Sequence, residues 1–347
     1  MLVIRKSRMD VVQVSLMGEV LSTFLVDVLY VCYTTYVHTL DVSFTEEVPF
    51  MVSFSHPDRR RHPRLYTLFV GVLVGLSVLM AACGSSNSTS TTSTGSSSST
   101  KPTIAAPKDL ITPGTLTVGS DTTYPPQEFI DTTTGKATGF DVDLITAIAQ
   151  QIGLTADVKT ANFTTIVDDL RAKRYDVVIS AQTITPDREK QVDFIPYFNA
   201  GQSLLVPKGN PKGLKTVTDL CGKNVGVQDG TTELDTLNAA NKADCKSNPI
   251  KLTSLSAQTD VIQLLVNNRV DATFQDSPVT DYYLKLNPGH FEVGGSIINA
   301  APEGISIRKG DTSMFNAIQA GFKAVKANGT YDNLFKKWGL NPVQKIS

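Results

Sequence analysis

The chain has 347 residues, of which 41% are hydrophobic and 19% charged, and its formal net charge is -1. That length allows two ordinary domains plus extra segments, and that mixture can bury a core. Near-neutrality removes the electrostatic case for a nucleic-acid partner. Of four histidines only His290 lies beyond residue 62, which counts against histidine catalysis or a His-rich metal site in the main body.

Residues 1–50 mix apolar and acidic side chains without a clear period and read as an extension ahead of a start near Met51. A second reading is a weak membrane-span candidate around Val20–Val37, interrupted by Asp27. The basic cluster Arg59, Arg60, Arg61 and Arg64 precedes an apolar run, Leu65 to Ala82. Basic region, apolar region and small-residue exit make an export signal over 51–82. Leu79-Met80-Ala81-Ala82-Cys83-Gly84 resembles the lipobox of bacterial lipoproteins, with Met80 where leucine is commonest. The resemblance implies lipid on Cys83, hence a membrane-anchored, extracytoplasmic protein. A plain transmembrane anchor is the alternative. Serine and threonine then run almost unbroken to Thr100. Such a stretch cannot offset its ordering entropy and reads as a flexible tether over 83–110. An extracytoplasmic setting is oxidising, and there Cys221 and Cys245 are expected to pair, adding about 3 kcal/mol by loop closure. Two buried free thiols are the alternative.

From Leu116 the chain alternates strand-like and helix-like segments. Leu116–Ser120 reads as a strand, and Phe129–Gly139, with Thr132-Thr133-Thr134-Gly135 at its centre, as a hairpin. Val142, Leu144, Ile145, Ile148 and Ile152 make a helical stripe over Asp141–Ile152, ended by Gly153. Thr164–Arg174 reads as a helix and Asp176–Ser180 as a strand. Leu170, Arg174 and Asp176-Val177 recur in spacing as Leu265, Arg269 and Asp271-Ala272, a faint internal repeat that suggests two similar lobes. Each copy then reaches a proline, at Thr185-Pro186 and Ser277-Pro278, both good N-cap plus first-turn pairs. Each lobe is thus expected to place a helix start just past the carboxyl end of a parallel strand, where ligands bind in open α/β sheets. Near the end, Phe315, Ile318, Phe322 and Val325 form one amphipathic face, and Tyr331, Leu334, Phe335 and Trp338 a second. Asn328-Gly329 separates them.

Gly139-Phe140-Asp141-Val142-Asp143-Leu144 resembles the signature of bacterial extracellular solute-binding proteins of family 3, which serve polar amino acid ABC importers. Further matching segments are Ser120 to Pro126, Val178 to Thr185, Arg188, Gly226 to Thr232, Phe274-Gln275-Asp276 and Gly329 to Gly339. Together they span nearly all of 111–342. The resemblance implies a type II periplasmic-binding-protein fold, two Rossmann-like α/β lobes joined by a two-crossing hinge. Lobe 1 is expected at 111–204 and 303–347, lobe 2 at 205–302, with crossings near Ser203–Pro207 and Ile298–Gly304. No metal, cofactor or catalytic residue is expected.

A free amino acid is a zwitterion. Its carboxylate suits a forked cation and N–H or hydroxyl donors, and its ammonium suits a carboxylate. By resemblance Arg188 holds the ligand carboxylate and Asp276 the ammonium. Ser180, Thr183 and Thr232 add polar contacts, the last with the backbone at Gly230-Thr231. Tyr124 and Phe163 flank the ligand side chain with flat apolar faces. Asp121 contacts its polar end, which favours glutamine or a basic amino acid. Ala181 stands where the family often has a second serine. The expected function is capture of a polar amino acid for an ABC permease and ATPase complex. A tethered amino acid sensor and an extracytoplasmic enzyme on the same fold are the alternatives.

Overall fold

The computed structural model describes residues 104–347. The expected extension, export signal, Cys83 and tether up to residue 103 lie outside the described residues. The last residues of the expected tether already belong to the fold, because Ile104 and Leu110 pack against the first hydrophobic core.

Strand β1 (Thr115–Ser120) opens the described elements. Short strands β2 (Thr123–Tyr124), β3 (Glu128–Ile130) and β4 (Ala137–Thr138) form a separate small sheet that includes the expected hairpin. Its turn is fastened by Asp131, whose Oδ1 accepts from the Thr133 and Thr134 N–H groups, each at 2.8 Å. Helix α1 (Phe140–Gln151) follows the apolar stripe and buries Leu144, Ile145 and Ile148 completely, worth about 1.5–3 kcal/mol each. Gly139, at φ 136, is required at its start, because a Cβ there would run into the Gln127 carbonyl. Then come β5 (Thr155–Thr160), α2 (Ile166–Arg171), β6 (Val177–Val178) and α3 (Pro186–Glu189). Helix α2 and strand β6 are shorter than the sequence suggests, and α3 is a single turn.

The long strand β7 (Val192–Pro207) leads to β8 (Asn224–Gln228), α4 (Thr232–Lys242), β9 (Lys251–Leu255), α5 (Gln258–Val266), β10 (Ala272–Asp276) and α6 (Ser277–Leu286). A second long strand, β11 (Phe291–Arg308), returns to α7 (Thr312–Ala327) and α8 (Thr330–Trp338). Eight strands form one sheet in the order β5-β1-β6-β11-β7-β10-β8-β9. The order reads the same from both ends. Each outer part is a parallel trio with its first strand central, β5-β1-β6 and β9-β8-β10, and each trio adjoins an antiparallel long strand. These are the two α/β lobes.

The internal repeat is realised atom by atom. Asp176 accepts the Thr117 N–H at 2.8 Å, and Asp271 accepts the Asn224 N–H at 2.9 Å. Lys173 and Asn268, one residue before the paired arginines, both take left-handed backbone, at φ 60 and 53. Each lobe has its own core. The first gathers α1, α7 and α8 around Phe140, Tyr197, Phe198, Tyr331 and Phe335. The second is built on Val225, Val227, Leu237 and Phe274. Cys221 and Cys245 are bonded there, with Cα atoms 5.1 Å apart, and tie the entry of β8 to the end of α4.

Strands β7 and β11 run through both lobes. β7 pairs with β11 from Val192 through Pro207, and from Gln202 to Leu205 it carries β10 on its other edge. Its register with β11 shifts between Gly294 and Ile298 and again between Ile298 and Ala301. These irregularities lie opposite Ala200–Leu204 of β7, beside the expected crossing at Ser203–Pro207. Leu204, Leu205 and Val206 are already buried strand residues of the second lobe. Gly201 permits the close pass, since a Cβ would sit 2.5 Å from Ile297 and 2.9 Å from the Ile298 carbonyl oxygen.

Candidate functional site

The carboxyl ends of the parallel trios meet across a cleft, and one cavity there is lined from both lobes. From the first lobe come Tyr124, Phe163, Ser180, Ala181, Thr183 and Arg188. From the second come Gln228, Thr231, Thr232, Glu233 and Asp276. Seven of the eight ligand residues expected from sequence thus share one cavity. The eighth, Asp121, stands directly behind it, where its Oδ2 accepts from Gln228 Nε2 at 2.5 Å.

Arg188 reaches the cleft from α3, whose first turn is capped by Thr185 Oγ1 accepting the Arg188 N–H at 3.3 Å. The guanidinium donates to the Thr183 carbonyl at 2.7 Å and, across the cleft, to the Gly230 carbonyl at 3.0 Å. Its carbon lies 5.4 Å from the centre of the Phe163 ring, a cation–π distance. Burial pulls its pKa down, while Glu233, Asp235 and Asp276 oppose that. Phe163 thus supports the arginine as well as the cavity wall.

The helix start that borders the cavity in the second lobe is that of α4. Thr231 caps it, its hydroxyl accepting the Leu234 N–H at 3.3 Å and donating to the Gln228 carbonyl at 2.8 Å. The first intrahelical bond of α4 runs from the Asp235 N–H to the Thr231 carbonyl at 3.3 Å. The N–H groups of Thr232 and Glu233 precede it and sit at the positive end of the helix dipole. The helix start expected at Thr185 is present too, but α3 is one turn long.

Asp276 ends β10 and is itself the N-cap of α6. The expected cap was Ser277, one residue later. Asp276 makes no side-chain cap bond, because its carboxylate is used across the cleft. Its Oδ2 accepts from the Tyr124 hydroxyl at 2.9 Å, and the same hydroxyl oxygen accepts the Asp276 N–H at 3.1 Å. Burial raises the Asp276 carboxyl to about 6, with Tyr124, Glu233 and Arg188 pulling the other way. Burial likewise raises Asp121 to about 6 against its bonds to Gln228 and Thr123.

Ser180 lines the cavity with its hydroxyl already in two bonds. Its hydroxyl accepts the Asp121 N–H at 2.9 Å and donates its one proton to Glu128 at 3.1 Å. Ala181, at φ 42, presents its N–H to Asp141 at 3.0 Å and to the Tyr197 hydroxyl at 3.2 Å. Both residues hold the loop that shapes the cavity floor.

Gln228, Thr231 and Glu233 also line the cavity, and the sequence reading assigned none of these side chains. Gln228 ends a parallel strand, which is a readable signal. Glu233 carries none, since an acid in the first turn of a helix is ordinary dipole complementation. Among the described residues, no group of three or more His, Cys, Asp or Glu could hold a metal ion. No described helix is long and apolar enough to cross a membrane.

Residues 116–341 match the family model of bacterial extracellular solute-binding proteins, family 3. A putative ABC transporter arginine-binding protein 2 of Escherichia coli K12 is 31% identical over 229 residues, covering 65% of this chain and 90% of that protein. The L-cystine-binding protein TcyJ of the same strain is 32% identical, covering 65% of this chain and 82% of that one. Among solved structures, an ancestral arginine-binding protein bound to arginine is 39% identical with a TM-score of 0.61, covering 65% of this chain and 98% of that chain.

Proposed function

The chain belongs to the bacterial extracellular solute-binding proteins of family 3, and from that premise we propose that it captures a free polar amino acid between its lobes and delivers it to an ABC importer. The observation that carries this is the shared cavity, to which one lobe contributes Arg188 and the other Asp276. A guanidinium on one side and a carboxylate on the other complement the two charged ends of a zwitterion. The ligand carboxylate takes the place of the carbonyls now held by Arg188 and is completed by the Thr232 and Glu233 N–H groups. The ammonium lies against Asp276. Tyr124 and Phe163 flank the side chain, and Asp121 with Gln228 meets its far end.

A basic side chain suits that far end best. Asp121 is 3% exposed, and a buried carboxylate favours a cationic partner over a neutral one. Relatives that bind arginine agree with this preference. The protein acts by binding rather than turnover. Bonds between the lobes, such as Tyr124 to Asp276 and the Gln258 N–H to Thr123 Oγ1 at 3.1 Å, hold the closed form that an importer would read. Lipid on Cys83 would keep the protein at the outer face of the cell membrane, with the Ser/Thr-rich stretch as its leash. A thermal-shift screen over the twenty amino acids tests the reading, because a solute that binds only the folded state raises the melting temperature. Arginine and lysine are expected to give the largest shifts. The absence of a shift with any amino acid overturns the function, and a larger shift with an acidic one overturns the specificity.

A further inference from the structure

Two of the described cavity-lining residues are carboxylates, Asp276 and Glu233. Glu233 is 2% exposed. Its Oε2 accepts from the Thr232 hydroxyl at 3.2 Å. Its Oε1 is buried and has no hydrogen-bond partner among the described residues. The Glu233 and Asp276 carboxyls lie within hydrogen-bonding reach of one another. Two carboxylates at that range cannot both ionise without a cation between them. Among the described groups that face the pair the one cation is Arg188, whose N–H bonds go to carbonyls and to neither carboxyl. Tyr124 from β2 and Glu303 from β11 are neutral or acidic neighbours. Arg188 from α3 feels both carboxyls, but two of its N–H arms are engaged by the Thr183 and Gly230 carbonyls. Asp235, next along α4, is a further acid near Arg188.

We propose that Glu233 is a further ligand-contacting residue: in the ligand-free protein it shares one proton with Asp276, and the ligand ammonium takes that proton's place. The proposal rests on the reading of the cleft as an amino acid site. The balance closes simply. A carboxylic acid hydrogen-bonded to a carboxylate becomes two carboxylates around one ammonium, and one proton passes to solvent for each ligand bound. Burial places the proton in the right range, raising Asp276 to about 6 and Glu233 well above its ordinary value. Binding that expels a proton must strengthen as pH rises. Glu233 therefore couples capture to pH as well as to charge.

The test is titration calorimetry of the whole protein with L-arginine, or with whichever of the twenty amino acids gives the largest thermal shift. Parallel runs at pH 7 in buffers of different ionisation enthalpy give the protons exchanged. The wild type is expected to release about one proton, and its Kd to fall about tenfold per pH unit between about pH 6.5 and 8. Glu233→Gln, which can still hydrogen-bond Asp276, should release none and show a flat Kd. Equal proton release by the variant and the wild type overturns the proposal. So does a wild type that binds without releasing a proton, a result that decides the matter even if the variant does not fold and leaves the amino acid site standing. If no amino acid binds the wild type, the site and the proposal fall together.

Discussion

Replacing Arg188 by alanine removes the forked cation from the cavity. Its two engaged arms now meet carbonyls at 2.7 and 3.0 Å, so a carboxylate in the same place would receive two charge-assisted bonds. Losing one side of such a buried pair costs about 2–5 kcal/mol, or roughly 30-fold to several thousand-fold in Kd at about 1.4 kcal/mol per factor of ten. The ligand-free folded protein should lose stability as well, by a similar or smaller amount. It gives up two bonds to neutral carbonyls, of about 1.5–3 kcal/mol each at most, and one of them crosses a cleft that opens anyway. Arg188→Lys should fall between wild type and alanine, because an ammonium keeps the charge but cannot fork. Calorimetric titration gives the Kd, and thermal unfolding of the ligand-free variants separates binding from stability. An alanine variant that binds its amino acid within threefold of wild type would remove Arg188 from the site.

Asp276→Asn should weaken every α-amino acid while sparing carboxylate analogues that lack the α-ammonium, measured by competition against a bound amino acid. Equal losses for both would show that Asp276 shapes the cleft instead. Replacing Cys221 and Cys245 together by serine should cost about 3 kcal/mol, read as a melting temperature lowered by roughly 6–12 °C. A smaller change on mild reduction of the wild type would mean that the bond constrains little. The ligand-free protein should also lose stability as pH rises from about 5 to 8. Burial first of all lifts Asp121 and Asp141 to about 6, and Glu128, Glu233 and Glu303 well above their ordinary values. A carboxyl raised in the folded state contributes fully below its unfolded pKa, near 4, and that contribution is lost as pH climbs through the folded value. Asp187, Asp193, Asp219 and Asp332 are shifted downward, so their contribution is complete above about pH 5 and does not reverse the trend. A melting temperature that rises from pH 5 to pH 8 would contradict the buried-acid account.

Most of the architecture could be read in the chain, because its periodicities and turn residues act locally. The stripe from Val142 to Ile152 can only pack as a helix. The paired Arg-x-Asp turns exposed the two lobes before any strand order was known. What escaped was set by tertiary partners. The helix cap moved from Ser277 to Asp276 because strand β10 runs one residue further. The register shifts between β7 and β11 depend on how two distant strands meet, which no local pattern encodes. At the site, residue types suited to a zwitterion were visible and their convergence was not. Whether Ser180 has a free proton depends on Glu128, which is remote in sequence. Glu233 could not be told from a dipole-complementing acid until Asp276 was seen beside it.

The placement of β11 between β6 and β7 has a consequence for how the molecule is assembled. The first core needs Ile305, Ile307, Phe322, Tyr331 and Phe335 as much as Leu116 or Phe140. The second core draws on an uninterrupted stretch, from Leu204 to Phe274. As the chain emerges from its amino end, the half begun first is the half completed last. The intervening half has all its strands except β11 available earlier, and the opening strands must wait unpaired on one side for the final segment of the chain.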